Sequence, residues 1–341
     1  MPPTTTAAPS RISAVSPLWA VEGGRVTISG AGFLSGDGLP EVRFGTVPAT
    51  IACASPQSVT AIVPGGLDGG RTPIRIPSVP GETAYVEIGS PIATGLHQVD
   101  NPVFDPEGNL YVTFSGSRGQ HAPVSIYVVR RDGTREPFVS DLPNPTSMTF
   151  GPDGNLYVSS RFDGSVHRIL RDGTVTTFAT ELGVACGIAF GPDGRLYVGD
   201  RSGSILVVND RRVTQLAALP ASVAAFHLAF GPDDALYVSA PTLSSHDVIY
   251  RVSLTGAVDV FADGFGRPQG LAFDQSGALY VVDAIAGASA LFRLRLDKPG
   301  EKDLILSGGA LIGIAFEPGG GVALASSDTA YRFAAGALPA G

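Results

Sequence analysis

The sequence has little charge, few cysteines and no long apolar run. Charged residues make up 16% of the 341 residues, and the formal net charge is −8 without a cluster of Lys or Arg, so a nucleic-acid partner is not expected. Two cysteines, Cys53 and Cys186, exclude a fold held by several disulfides. No apolar run is long enough for a transmembrane helix. The N-terminus lacks the features of a signal peptide, so we expect a cytoplasmic protein, or a secreted or periplasmic one if a leader has been removed.

Glycine and proline are abundant instead. The chain has 44 glycines and 27 prolines, and hydrophobic residues make up 44% of it. The glycines and prolines recur at intervals rather than in blocks, which is typical of turns between many short strands. We therefore predict an all-β protein with a sizeable core.

The first ninety residues contain short segments with alternating apolar residues, separated by Gly, Pro and Asp turns. This pattern favours a small antiparallel sandwich. The segments ISAVSP, GGRVTISGAGF, VRFGTVPA and SVTAIVP follow one another in an order that resembles the IPT/TIG family of immunoglobulin-like domains. The resemblance implies a spacer or interaction module. We assign it residues 11–82, after a disordered tail at residues 1–10.

A second pattern begins after residue 90 and repeats every 40 to 46 residues. A period near forty with strand-like content is typical of β-propeller blades of four strands each. The repeat resembles NHL-type propellers and the six-bladed SMP-30/gluconolactonase-like group. The six copies are DPEGNLYV, GPDGNLYV, GPDGRLYV, GPDDALYV, DQSGALYV and EPGGGVAL, which start at Asp105, Gly151, Gly191, Gly231, Asp274 and Glu317.

Ring closure follows from the ends of the repeat. The last unit contains three strands but no fourth, whereas residues 83–94 have the place of an outer strand with no blade before it. We therefore predict a six-bladed propeller over residues 83–335, closed by an N-terminal outer strand, and a tail at 336–341. Closure of this kind removes exposed sheet edges.

The repeated motif itself is predicted to be structural. Pro152, Asp153 and Gly154 suit a tight turn, and the LYV that follows suits a buried strand. Chemistry is instead expected at the opposite ends of the strands, just before the first strand of each blade and just after the second. These positions supply the candidate ligand-binding residues, which are Asn101, Ser160, Cys186, Asp200, Arg201 and Arg267.

The resemblance to gluconolactonase-like enzymes also implies a metal site. DNPVF places Asp100 where that group has a ligand, and RPQG places Gln269 where it has Asn. With Asp200 and Asp283 these residues form a candidate set for a divalent metal, and Ca²⁺, which takes about six to eight oxygen ligands, is the ion we expect. Cys186 departs from the family pattern, so the match is partial.

Three functional hypotheses remain open. The first is a binding or scaffold protein that holds a small molecule, a carbohydrate or a peptide at the channel mouth, with the immunoglobulin-like domain as a second interaction surface. The alternative is a metal-dependent lactone or ester hydrolase, in which His227 and Asp283 move protons. A propeller lyase is the third. The competing interpretation of His227 and the aspartates is structural: histidine bonded to a strand end, carboxylates bonded to backbone amides.

Overall fold

The structure is a computed structural model that describes residues 10–34, 38–79, 81, 83–120, 122–209, 212–285 and 288–338. These ranges contain 33 β-strands and no helix. Consequently, no helix in the described part of the chain is long and apolar enough to cross a membrane. The predicted disordered tail at 1–10 lies outside the described residues, except for Ser10.

The N-terminal domain is a sandwich of two sheets. One sheet has the order β1-β3-β7-β6, and the other contains β2-β9-β8-β4-β5. Alternation along the strands buries Val26 and Ile28 of one sheet with Phe44 and Ile74 of the other in one core. The strands are β1 Arg11–Ser16, β2 Trp19–Ala20, β3 Arg25–Ala31, β4 Arg43–Phe44, β5 Val47–Pro48, β6 Thr50–Ala54, β7 Ser58–Ile62, β8 Gly70–Arg75 and β9 Ala84–Ile88.

Six blades follow, and they confirm the predicted propeller. The first five each have four strands in sequence order. The first blade is β11 Val103–Phe104, β12 Leu110–Thr113, β13 Ile126–Val129 and β14 Arg135–Val139, and the second is β15 Pro145–Phe150, β16 Leu156–Ser160, β17 Ser165–Ile169 and β18 Val175–Ala179. The third is β19 Ala185–Phe190, β20 Leu196–Asp200, β21 Ser204–Asn209 and β22 Arg212–Ala218, and the fourth is β23 His227–Phe230, β24 Leu236–Ser239, β25 Asp247–Val252 and β26 Val258–Phe265. The fifth is β27 Pro268–Phe273, β28 Leu279–Asp283, β29 Ala290–Arg295 and β30 Lys298–Ser307.

The sixth blade contains strands from both ends of the propeller. It is formed by β31 Leu311–Phe316, β32 Val322–Ser326 and β33 Thr329–Phe333, and β10 Ser90–Thr94 pairs antiparallel with β33 as the outer strand. The predicted closing strand, residues 83–94, began too early in the sequence, because the strand that closes the ring begins at Ser90. Strand β9 remains in the sandwich, where it pairs with β8 and β2, and one residue, Gly89, separates it from β10.

The sandwich and the propeller share one sheet, which the sequence did not predict. The outer strand β30 of the fifth blade pairs in parallel with β2, and β2 pairs in parallel with β9. The result is a continuous nine-stranded sheet that runs from the inner strand β27 to β5. The Trp19 indole donates a hydrogen bond to the Ala337 carbonyl, so part of the predicted C-terminal tail packs at this junction as well.

The repeated turn has the structural role predicted for it. Asp153 accepts hydrogen bonds from the Asn155 amide at 3.1 Å and from the Tyr157 hydroxyl at 3.0 Å. The Tyr157 ring then packs edge-on against Phe190 of the next blade, with ring centroids 4.8 Å apart. The motif therefore orients a buried tyrosine that joins neighbouring blades. The same Asp–Tyr bond forms between Asp193 and Tyr197 and between Asp233 and Tyr237.

Candidate functional site

A cavity of about 880 Å³ lies at the mouth of the channel. Its walls come from loops between the second and third strands, such as those at Arg161 and Ser245, and from loops that precede the first strands, such as those at Val223 and Arg267. The repeated Pro-Asp-Gly turns lie at the other ends of the strands. The cavity is therefore on the face where the sequence predicted chemistry.

Three predicted site residues meet inside the channel. His227 Nδ1 lies 2.5 Å from Asp100 Oδ1, and His227 Nε2 lies 3.2 Å from Gln269 Oε1. The His227 side chain is fully buried, whereas Gln269 reaches the cavity wall. Asp100 is at the start of the first blade, His227 opens β23 and Gln269 lies on β27, so the ring brings together residues far apart in sequence.

The Asp100–His227–Gln269 cluster places the Gln269 amide at the cavity wall. The contact of Nδ1 with a carboxylate oxygen requires the ring to donate there. Nε2 then donates to Gln269 Oε1 if the ring is protonated, or accepts from the amide nitrogen if the amide is flipped. The second oxygen of Asp100 is buried and has no hydrogen-bond partner among the described residues. Either state leaves both ring nitrogens of His227 engaged.

The Asn101 side chain forms hydrogen bonds between blades of the propeller and does not line the cavity. Its side-chain nitrogen donates to the Leu271 carbonyl at 3.0 Å, and its side-chain oxygen accepts from the Ile314 amide at 2.9 Å. A Cβ at position 270 would lie 2.1 Å from the Asn101 oxygen, so glycine at this position allows the approach. Asn101 thus joins the start of the first blade to the inner strands of the fifth and sixth, and its ligand-binding role stays a prediction.

The two candidate aspartates at the ends of second strands bind backbone amides. Asp283 accepts from the amide of Gly266 at 3.0 Å and from that of Arg267 at 2.6 Å. Asp200 accepts from the Val184 amide at 2.7 Å and from the Ser202 hydroxyl. Both carboxylates are buried and fix the loops that precede inner strands. Both aspartates thus have the structural role that the competing interpretation gave them, which is to bind backbone amides. A proton-transfer role for Asp283 is left without support.

Two smaller candidates are buried. Ser160 donates to the Pro143 carbonyl at 2.8 Å and is inaccessible to solvent. Cys186 lines the cavity, and burial raises the pKa of its thiol to about 12. A thiol with this pKa is a weak nucleophile at neutral pH, so Cys186 contributes shape to the cavity rather than reactivity.

The predicted metal ligands do not assemble. Of Asp100, Gln269, Asp200 and Asp283, only the first two meet, and both contact His227. Within the described ranges, no group of three or more His, Cys, Asp or Glu residues is placed to hold a metal ion. Because Ca²⁺ needs about six to eight oxygens, several of them from carboxylates, these residues do not fit the ion.

Arginines line the cavity from both sides. Arg201 and Arg267, two of the predicted ligand-binding residues, are on its wall, and so is Arg161. Arg161 was not among the predicted site residues, although the repeat points to it: LYVSSR in the second blade aligns with LYVGDR in the third, so that Arg161 and Arg201 hold the same position.

Family comparisons support both predicted parts. Residues 9–84 match the IPT/TIG domain. Residues 187–208, in the third blade, match the N-terminal part of strictosidine synthase-like proteins, which are propellers. No curated protein sequence matches the chain.

Solved structures share the architecture. An auxiliary nutrient binding protein from Bacteroides thetaiotaomicron is 14% identical, with a TM-score of 0.56 over 96% of this chain and 98% of that one. A virginiamycin B lyase from Staphylococcus aureus is 17% identical, with a TM-score of 0.53 over 91% and 99%. A protein assigned as a gluconolactonase is 16% identical, with a TM-score of 0.58 over 72% and 90%. At these identities the likeness shows the fold alone.

Proposed function

We propose that this protein binds a small molecule, a carbohydrate or a short peptide in the cavity at the channel mouth, without catalysing a reaction on it. The observation that carries the proposal is the cavity of about 880 Å³, which lies within the range of about 300–1,000 Å³ usual for ligand sites. Its walls are mainly apolar, with a few polar groups held in place by the blades.

The arrangement of the polar groups favours binding over catalysis. Asp283 and Asp200 are occupied by backbone amides. His227 is shielded from the cavity and engaged at both nitrogens. A general base needs a free lone pair within reach of the proton that it removes. Groups fixed in this way position a ligand but exchange no proton with it.

The IPT/TIG sandwich supplies a second interaction surface in this proposal. Because β30, β2 and β9 form one sheet, the sandwich is held at a set orientation to the cavity. A partner bound to the sandwich would then be presented at a fixed distance from the ligand. The nutrient binding protein among the structural neighbours aligns over 96% of this chain, and therefore over both the sandwich and the propeller.

A metal-dependent hydrolase is the second candidate. The observation in its favour is the buried Asp100–His227 contact, because a carboxylate that orients an imidazole recurs in hydrolytic sites. In the part of the chain that the structure describes, no set of metal ligands comes together as the hypothesis needs, so we place it behind the binding hypothesis.

A binding screen with a blocking variant tests the proposal. Sugars, short peptides and small organic acids are scored by the Tm of the full chain, and hits are repeated with Ser245→Trp, which narrows the cavity from an exposed loop. The matched control is Ala257→Trp, at an exposed turn on the opposite face. We expect hits that Ser245→Trp abolishes and Ala257→Trp leaves intact. Lactone or ester hydrolysis with Ca²⁺, Mn²⁺ or Zn²⁺ would overturn the proposal, as would hits insensitive to Ser245→Trp.

A further inference from the structure

The walls of the cavity carry positive charge in an acidic protein. The chain has 31 Asp and Glu residues against 23 Lys and Arg. The lining of the cavity nevertheless contains Arg161, Arg201 and Arg267 and, among the described residues, no Asp or Glu. Arg161 and Arg201 follow the second strands of adjacent blades, whereas Arg267 precedes the fifth blade, opposite the second in a ring of six. Positive groups therefore face the cavity from two sides.

These guanidinium groups lack the partners that other arginines of the propeller have. Arg168, Arg195 and Arg251 pair with aspartates of the repeated turns at 2.5 to 2.8 Å. No carboxylate of the described chain forms an ion pair with Arg161, Arg201 or Arg267. Their side chains bond instead to backbone, where they bond at all: Arg161 donates to the Gly116 carbonyl at 3.0 Å, and Arg201 to the Val223 carbonyl at 3.3 Å.

Arg161 is half-buried, whereas Arg201 and Arg267 are exposed. The Nε atom of Arg161 is buried and has no hydrogen-bond partner in the described structure. Burial lowers the pKa of its guanidinium, and the like charges of Arg201 and Arg118 act in the same direction. A cation held away from water without a counter-charge is unfavourable. An anion in the cavity would supply both the missing charge and the missing acceptors.

Apolar side chains surround the same space. Val223, Ile285 and Leu311 line the cavity, and Ile285 is 44% exposed. Two further exposed side chains adjoin cavity residues in the sequence: Phe162, 48% exposed, follows Arg161, and Leu243, 92% exposed, precedes Ser244. We call these two side chains the rim. Exposed apolar side chains of this size, together with polar groups such as the three arginines, are typical of ligand-contact surfaces.

We propose that the ligand is an organic oxyanion with an apolar body, whose carboxylate or phosphate binds the guanidinium groups of Arg161, Arg201 and Arg267 while its apolar part contacts Ile285 and the rim. The proposal rests on the binding function proposed above and adds the chemical class of the ligand. Arginine suits this role because its planar fork binds carboxylate and phosphate oxygens in pairs.

Two fluorescent probes test the charge requirement on the full chain. 1-Anilinonaphthalene-8-sulfonate and N-phenyl-1-naphthylamine have the same aromatic rings, but only the first carries a sulfonate and is therefore an anion. We expect the anion to bind about tenfold or more tightly than the neutral probe, with an affinity that falls as salt rises. Phenylacetate or phenyl phosphate should displace it, and which of them competes better tells carboxylate from phosphate. Displacement by phenylacetamide at the same concentration, or no binding of the anionic probe, would overturn the proposal.

Variants assign the effect to the cavity. Arg201→Gln and Arg267→Gln change exposed side chains, so their folding is not at risk, and each should weaken the anionic probe about tenfold or more while leaving the neutral probe unchanged. The control is Arg171→Gln, an exposed arginine on the opposite face. Equal affinities in all variants would contradict the proposal. Neutral hits that Ser245→Trp abolishes would then still support the binding function, so the two proposals fail separately.

Discussion

Asp100 and His227 are 127 positions apart in the sequence, yet Oδ1 of the first and Nδ1 of the second lie 2.5 Å apart in the channel. Asp100 also accepts from the Asn101 amide at 2.6 Å, next to the side chain that ties the inner strands of the fifth and sixth blades. The pair therefore links the fourth blade to the point of ring closure. Through His227 Nε2, 3.2 Å from Gln269 Oε1, the pair also contacts a residue of the cavity wall.

Loss of the Asp100 charge should destabilise the propeller. The buried Asp100 carboxylate accepts hydrogen bonds from the His227 ring and the Asn101 amide, and a hydrogen bond to a charged group is worth about 1.5–3 kcal/mol. We expect a decrease of that order in the free energy of unfolding for Asp100→Asn, measured with urea. The control Asp259→Asn changes an exposed residue of β26 and should stay within about 0.5 kcal/mol of the parent. Equal losses of unfolding free energy in the two variants would contradict the hydrogen bond between Asp100 and His227.

Removal of the Asp283 carboxylate should affect both stability and ligand binding. Asp283→Ala leaves the amides of Gly266 and Arg267 without their acceptor, and a hydrogen bond to a charged group is worth about 1.5–3 kcal/mol. We expect a loss of that size in urea unfolding and weaker binding of the anionic probe, because Arg267 moves with its loop. Asp263→Ala, at an exposed position of β26 just before this loop, should change neither. Unchanged stability with abolished lactone hydrolysis would instead indicate a catalytic Asp283.

The sequence predicted the propeller well because its repeat is local. Each blade is encoded by a turn and a strand that recur every 40 to 46 residues, and the missing strand of the last unit pointed to β10. Contacts across the ring have no such signature. That Asp283 faces backbone amides, or that Asp100 meets His227, depends on loop conformation and on the curvature of six blades. The nine-stranded sheet was missed because β2 has only two residues, Trp19 and Ala20, too few for a strand pattern.

One repeat carries an unfavourable residue in its turn. Asp234 has φ of 57°, at the position where Gly194 of the preceding blade has φ of 73°. This left-handed conformation costs a residue with a Cβ about 1 kcal/mol or more, offset in part by the greater chain entropy of glycine. We expect Asp234→Gly to raise the free energy of unfolding by up to about 1 kcal/mol. Gly194→Asp should lower it, since no atom lies within 4 Å of the added Cβ and only the backbone conformation is tested. The two substitutions should therefore change the free energy of unfolding in opposite directions, and changes of the same sign would contradict the prediction.

Alkaline pH should weaken the contacts between blades. Burial, with the neighbouring aspartates of the turns, raises the pKa of Tyr157, Tyr197 and Tyr237 to about 12, whereas an unfolded tyrosine titrates near about 10. The unfolded chain therefore releases these protons first. The stabilisation is fully present below pH of about 10 and is lost as pH rises toward about 12.

We expect the urea midpoint to fall through this interval, together with a delayed tyrosinate absorbance in the folded protein. Tyr197→Phe removes one of these groups while it keeps the ring against Phe230, where the centroids are 4.9 Å apart. Its unfolding should therefore depend less steeply on pH than that of the parent. The same slope in both proteins would show that the Tyr197 hydroxyl is not held by Asp193 as the 2.8 Å contact requires.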